Sequence, residues 1–116
     1  MKRKQALAEL IAKVEVGFDP EDRPSAFKAL RDPDYAAWAV KAHKGSLDAA
    51  KALHEAVLPG WSPSVGQNVH HGYWFATVMR AENGTIAADT TGTGPCPARA
   101  WLLAILRALH SMEPDA

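Results

Sequence analysis

Apolar residues recur early in the chain at Leu7, Leu10, Ile11 and Val14, the spacing that lines one stripe of an α-helix, with Gln5, Glu9 and Lys13 on the far side. Gly17, Pro20 and Pro24 break this period, and Ser25 to Arg31 has room for a short helical turn that carries Phe27 and Leu30 inward. Asp32-Pro33 then reads as a helix start, because Asp caps free N–H groups and Pro fits the first helical position, where no N–H is needed. Tyr35, Trp38, Ala39 and Ala42 share the stripe of this second helix, which runs to about Lys44. Gly45 suits the left-handed residue that ends a helix, and Ser46 caps the next one, whose stripe is Leu47, Ala50, Leu53, His54 and Val57 before Pro59-Gly60 stops it.

After Gly60 the period changes. Trp61 to Val65 predicts a short strand that Pro63 confines to an edge or a bulge. Tyr73 to Arg80 is rich in aromatic and β-branched residues and leads into Asn83-Gly84, a two-residue hairpin turn, so a return strand from Thr85 to Asp89 is expected. With Glu82 opposite Thr85, one face carries Phe75, Thr77, Met79, Ile86 and Ala88 and is expected to be core. The other, with Trp74, Val78, Arg80, Ala87 and Asp89, is mixed and reads as partly wet or partly covered.

Gly92, Gly94, Pro95 and Pro97 precede a final amphipathic helix, from about Pro95 to Met112, expected to be the main wall of the core. Trp101, Leu102, Ile105, Leu106, Leu109 and Met112 form its stripe, with Ala100, Leu103 and Ala104 opposite, and its polar positions between Ala98 and Leu109 are Arg99 and Arg107 alone. A surface helix carries more charge, so this one is expected to be packed on two sides: the sheet on the Trp101 face, and another helix or a second subunit on the Leu103 face. The fold class is α+β: a small antiparallel sheet of about three strands with a central hairpin, packed by about four helices in an α-β-α sandwich-like arrangement.

A length of 116 residues predicts one domain over 1–116, with 1–5 frayed and 113–116 a short tail. The 13 basic residues offset the 13 acidic ones, leaving no field to attract nucleic acid or anionic lipid. No run approaches the roughly 18 apolar residues of a membrane span. The basic tip Met1 to Lys4 leads into a helical period rather than a signal sequence, and lone Cys96 cannot make an internal disulfide, so a cytoplasmic protein is expected.

Two runs, SLDAAKALHEAVLPGW from Ser46 to Trp61 and PARAWLLAILRAL from Pro97 to Leu109, resemble the phage ABA-sandwich domain proteins, a family of uncharacterised bacterial and prophage proteins. The resemblance covers most of the chain from the first helix onward, but not Gly66 to His71 or Asn83 to Gly94. It implies helices on both sides of a small sheet, and no activity that maps onto particular residues.

The chemistry is sparse. His70 and His71 are adjacent and point to opposite faces of a strand, and His54-Glu55 lacks a second His at the zincin spacing, where Leu58 stands, so no metal site is assigned. No G-x-S-x-G elbow is present and Cys96 stands between prolines without an adjacent base, so no catalytic residue or cofactor is assigned and an enzyme is the least favoured class. The strongest candidate is a Gly/Thr loop ahead of the last helix. Thr90, Thr91 and Thr93 supply hydroxyls, Gly92 and Gly94 let a ligand approach the backbone, and Arg99 adds charge for a small anionic or nucleotide ligand. Trp61 and Trp74 are added as stacking surfaces. Two readings follow. One is a non-catalytic phage-type accessory protein that sequesters a nucleotide-like signal or a host component such as a host protein; the other is a structural or protein-interaction module that acts as a homo-oligomer.

Overall fold

The computed structural model describes residues 3–17 and 24–113. Helix α1 (Arg3–Val16) buries Leu7, Leu10 and Val14, and a 3-10 helix (Pro24–Leu30) buries Phe27 and Leu30. Helices α2 (Pro33–His43) and α3 (Leu47–Val57) form the expected near-loopless hairpin. Asp32 caps α2 by accepting from the Asp34 N–H at 2.8 Å, Ser46 caps α3 by accepting from the Ala49 N–H at 3.1 Å, and Gly45 joins them at φ +116°. Of the predicted stripes, Trp38 is only half-buried and Leu47 is exposed. Arg3, Lys4 and Gln5 belong to α1, and the Arg3 side chain pairs with Glu113 and donates to the Ala29 carbonyl at 3.2 Å; Met1 and Lys2 of the segment expected to fray lie outside the described residues. Pro20 of the predicted breaker run and most of the 113–116 tail lie outside the described residues.

Strands β1 (Ser62–Asn68), β2 (Tyr73–Glu82) and β3 (Thr85–Gly94) form one antiparallel sheet in that order. The hairpin turns at Asn83 (φ 52°) and Gly84 (φ 77°) with Glu82 opposite Thr85, as the two-residue turn requires. Two strands run further than the breaker residues predict. β1 continues to Asn68, whose side chain accepts from the N–H groups of His70 and His71 and shapes the turn. β3 continues to Gly94, so the Gly/Thr segment is strand and not loop.

The two faces of the sheet are reversed from the expectation. Ala76 and Val78 are fully buried and Trp74 and Ala88 half-buried, whereas Phe75 and Ile86 are exposed. A bulge opposite Arg80 and Ala81 leaves Ala87 as the extra residue, which moves Ala88 onto the Val78 side and Asp89 onto the Met79 side. The buried face is selected by small size rather than by apolar bulk, because a helix backbone lies directly on it. A Cβ placed on Gly92 would come within 2.4 Å of the Ala100 carbonyl oxygen and 2.6 Å of the Ala104 nitrogen. Ala76 stands opposite Gly92, so the helix meets a floor without bulky side chains. Thr90 adds a bond across the joint, its hydroxyl donating to the Ala104 carbonyl at 2.8 Å.

That helix is α4 (Pro97–Met112), and ten of its sixteen residues are buried, as a two-sided wall requires. Its sides are exchanged, however. The sheet takes the Ala100, Leu103 and Ala104 face, and the Trp101 face meets the other helices; Met112, at the end of the stripe, is exposed. Helices α1, α2 and α3 pack on α4. The fold is therefore α+β with helices packed on a three-stranded antiparallel sheet, in the order sheet, α4, remaining helices. The resemblance implies helices on both sides; no described helix covers the outer face of this sheet.

Candidate functional site

The predicted ligand residues do not converge. Because β3 is a strand, Thr90, Gly92 and Gly94 point toward α4 while Thr91 and Thr93 point to the outer face. The space a ligand would need beside Gly92 is filled by the backbone of α4. Arg99 packs against Gly94 through its Cβ and Cγ, but its guanidinium is engaged, Nε donating to the His43 carbonyl at the end of α2 at 3.0 Å. Trp61 and Trp74 are also separated. Trp61 precedes Ser62, which pairs with Met79, while Trp74 starts β2 opposite Gln67, so roughly 20 Å of strand lies between them at about 3.3 Å per residue.

Trp61 is buried beneath a shallow cleft of about 470 Å³ that it lines with Arg80, Ala88, Ser111 and Met112. The cleft's one guanidinium, on Arg80, is already held by Glu82 at 2.6 Å, and Ser111 donates to the Ala108 carbonyl. Two histidines are likewise engaged within the fold. His54, buried in α3, is 2.9 Å from the Trp61 carbonyl through Nε2 and accepts from the Trp101 indole through Nδ1. His71 stacks on Tyr73 with ring centroids 6.2 Å apart. Cys96 caps α4 with no side-chain bond to the helix N–H groups. No cluster of three His, Cys, Asp or Glu residues able to hold a metal occurs among the described residues.

What stands out instead is the outer face of the sheet. Ladder partners share a face, so it gathers Ser62, Ser64 and Gly66 from β1, Tyr73, Phe75, Thr77 and Met79 from β2, and Ile86, Asp89, Thr91 and Thr93 from β3. Asp89 is the single charged residue among them, in a chain that is 22% charged. Phe75 is 37% exposed and Ile86 58% exposed. The Phe75 ring lies across Gly66, where an added Cβ would come within 2.6 Å of it, and the Thr77 and Thr91 hydroxyls bond across the strands at 3.0 Å. The result is a surface of aromatic, aliphatic, thioether and hydroxyl groups, with Phe75 and the Thr77–Thr91 pair held in place across the strands. Depletion of charge with aromatic and Met groups present marks the centres of protein interfaces. The sequence assigned these apolar residues to the core; the signal that separates the faces is the small-residue alternation Ala88, Thr90, Gly92, Gly94 on the opposite side.

No family model matches the chain, and comparison with curated proteins and with solved structures finds no similar protein. No described helix is long and apolar enough to cross a membrane.

Proposed function

We propose that this protein is a non-catalytic interaction module that self-associates through the outer face of its sheet. The observation that carries the reading is that no described element covers this face and that, Asp89 apart, its residues are uncharged. The nucleotide-sequestering reading depended on a Gly/Thr loop, and in the strand those residues are spent on packing and on the ladder. A second copy is the occupant that best fits the surface. A neutral face is complementary to itself, needs no partner of opposite charge, and belongs to a chain whose 13 basic residues balance its 13 acidic ones. A host protein selected by charge would find little to recognise here.

Size sets the expected strength. Three strands at about 4.8 Å spacing and ten residues at about 3.3 Å rise give a footprint of roughly 450 Å², hence roughly 900 Å² buried by two copies. That is below the roughly 1,200 Å² of standard stable interfaces, so the dimer is weak and concentration-dependent, with the sheets stacked face to face. Sedimentation velocity across about 10 to 500 µM, within the micromolar-to-millimolar span of weak association, tests this. The mass should climb from one chain toward two, and the double substitution Phe75→Lys with Ile86→Lys should abolish the climb while the circular dichroism spectrum is retained. A chain that stays monomeric throughout sinks the proposal.

A further inference from the structure

Strand β3 forms one edge of the sheet, is ten residues long, and contains no Pro or Lys and one charge, Asp89. An edge of that kind is a template for another strand. The register shows which of its groups face outward. Pro63 has no N–H to give, and it stands opposite Val78 on β2, so that pair is not hydrogen-bonded and Val78 turns its backbone groups toward Thr90 on β3. Alternation then makes Thr77–Thr91 a non-bonded pair, with the N–H and C=O of Thr91 directed away from β2 to the free side.

Arg107 occupies this position. Its Nη1 donates to the Thr91 carbonyl at 2.6 Å while its Nη2 pairs with Glu15 on α1 at 3.3 Å. A planar guanidinium can hold two acceptors at once where an ammonium would act as a point charge. The other edge carries its own block, because Pro63 removes an outward donor from β1.

We propose that the edge of β3, which no described strand pairs, is a strand-pairing surface for the β3 of a second copy of this chain, held shut by Arg107. The proposal rests on the self-association read above for naming a second copy as partner. Antiparallel pairing centred on Thr90 sets each Asp89 opposite a Thr91, so the two carboxylates do not face each other. With face and edge both open, copies would add without a natural stop, as non-closing contacts do. With the edge shut, assembly ends at the face-to-face pair.

The test is Arg107→Met, which keeps the apolar stem and removes the donors, compared with the wild type by sedimentation and by thioflavin fluorescence. The weight-average mass should exceed the wild type's by about twofold or more at equal concentration, with fluorescence rising in parallel. Adding Thr91→Pro, which removes the outward N–H and spares the ladder, should restore the wild-type value. If Arg107→Met loses its helical signal, Glu15→Ala decides: it frees one arm of the clamp from an exposed position and should raise the mass in the same direction. A mass equal to that of wild type in the folded variant overturns the proposal. A monomeric wild type whose Arg107→Met variant assembles overturns the face reading alone, and a dimeric wild type whose variant remains a dimer overturns the edge inference alone.

Discussion

The indole N–H of Trp101 donates to Nδ1 of His54 at 3.1 Å, and the other ring nitrogen of His54 lies 2.9 Å from the Trp61 carbonyl. An Nδ1 that accepts carries no proton, so the ring proton is on Nε2 and is donated to Trp61. One buried imidazole therefore joins α4, α3 and the entry to β1. Trp101→Phe leaves Nδ1 buried without its donor and is expected to cost about 1–3 kcal/mol beyond the lost ring area. A double-mutant cycle with His54→Leu, followed by urea denaturation, should return part of that loss; additive effects would mean that the bond contributes nothing.

Gly92→Ala is expected to be among the most damaging single-methyl additions available, because the new atom must displace the backbone of α4. Overpacking of this kind costs about 1–3 kcal/mol or more. Gly94→Ala, whose nearest contact is 3.2 Å from the Ala100 nitrogen, should cost less. Denaturant midpoints for the two variants give the ranking, and the reverse order would refute the close approach.

The assignment of sheet faces can be checked with a charge on each side. Val78→Asp and Ile105→Asp, both at fully buried positions, should unfold the domain, whereas Ile86→Asp should move stability by no more than about 0.5 kcal/mol. Thermal melts followed by circular dichroism are sufficient, and a destabilised Ile86→Asp would return that face to the core.

The three capped helix starts differ in a testable way. Ser46→Ala and Asp32→Ala remove side-chain acceptors and should each cost about 1 kcal/mol. Cys96, in extended backbone geometry with no cap bond, should gain up to about 1 kcal/mol on conversion to Ser. Calorimetric midpoints should therefore move in opposite directions.

Much of the helical architecture was legible in the sequence because its determinants are local. Asp32-Pro33, Gly45-Ser46 and Pro59-Gly60 each fix a boundary through groups a few residues apart, and Leu7, Leu10 and Val14 declare their face by spacing alone. The sheet was harder because its determinants are not local. Whether Phe75 or Val78 faces the core depends on what lies above the strand, and α4 selects the side with Ala76 and Gly92 because only small residues let two backbones touch. The bulge at Ala87 gave no turn signal and exchanged the sides of Ala88 and Asp89. Gly92 and Gly94 point to a loop in the sequence because glycine breaks strands more often than it serves helix contact; the β-branched Thr90, Thr91 and Thr93 are the opposing sign. The site residues scattered for the same reason, since a loop gathers neighbours around one point and a strand deals them to two faces.

The contact of Gly92 with Ala100 and Ala104 has a mechanical side. Most helices ride on a sheet through a cushion of side chains that can change rotamer, but here peptide groups of α4 rest on β3 with no such layer between them. The joint is stiff: β3 cannot flex without carrying α4 along, and α4 in turn holds α3 through Trp101 and His54. Thr91, on the outer surface, is thus one strand's thickness from the helical layer, and a displacement of β3 there is passed directly to α4.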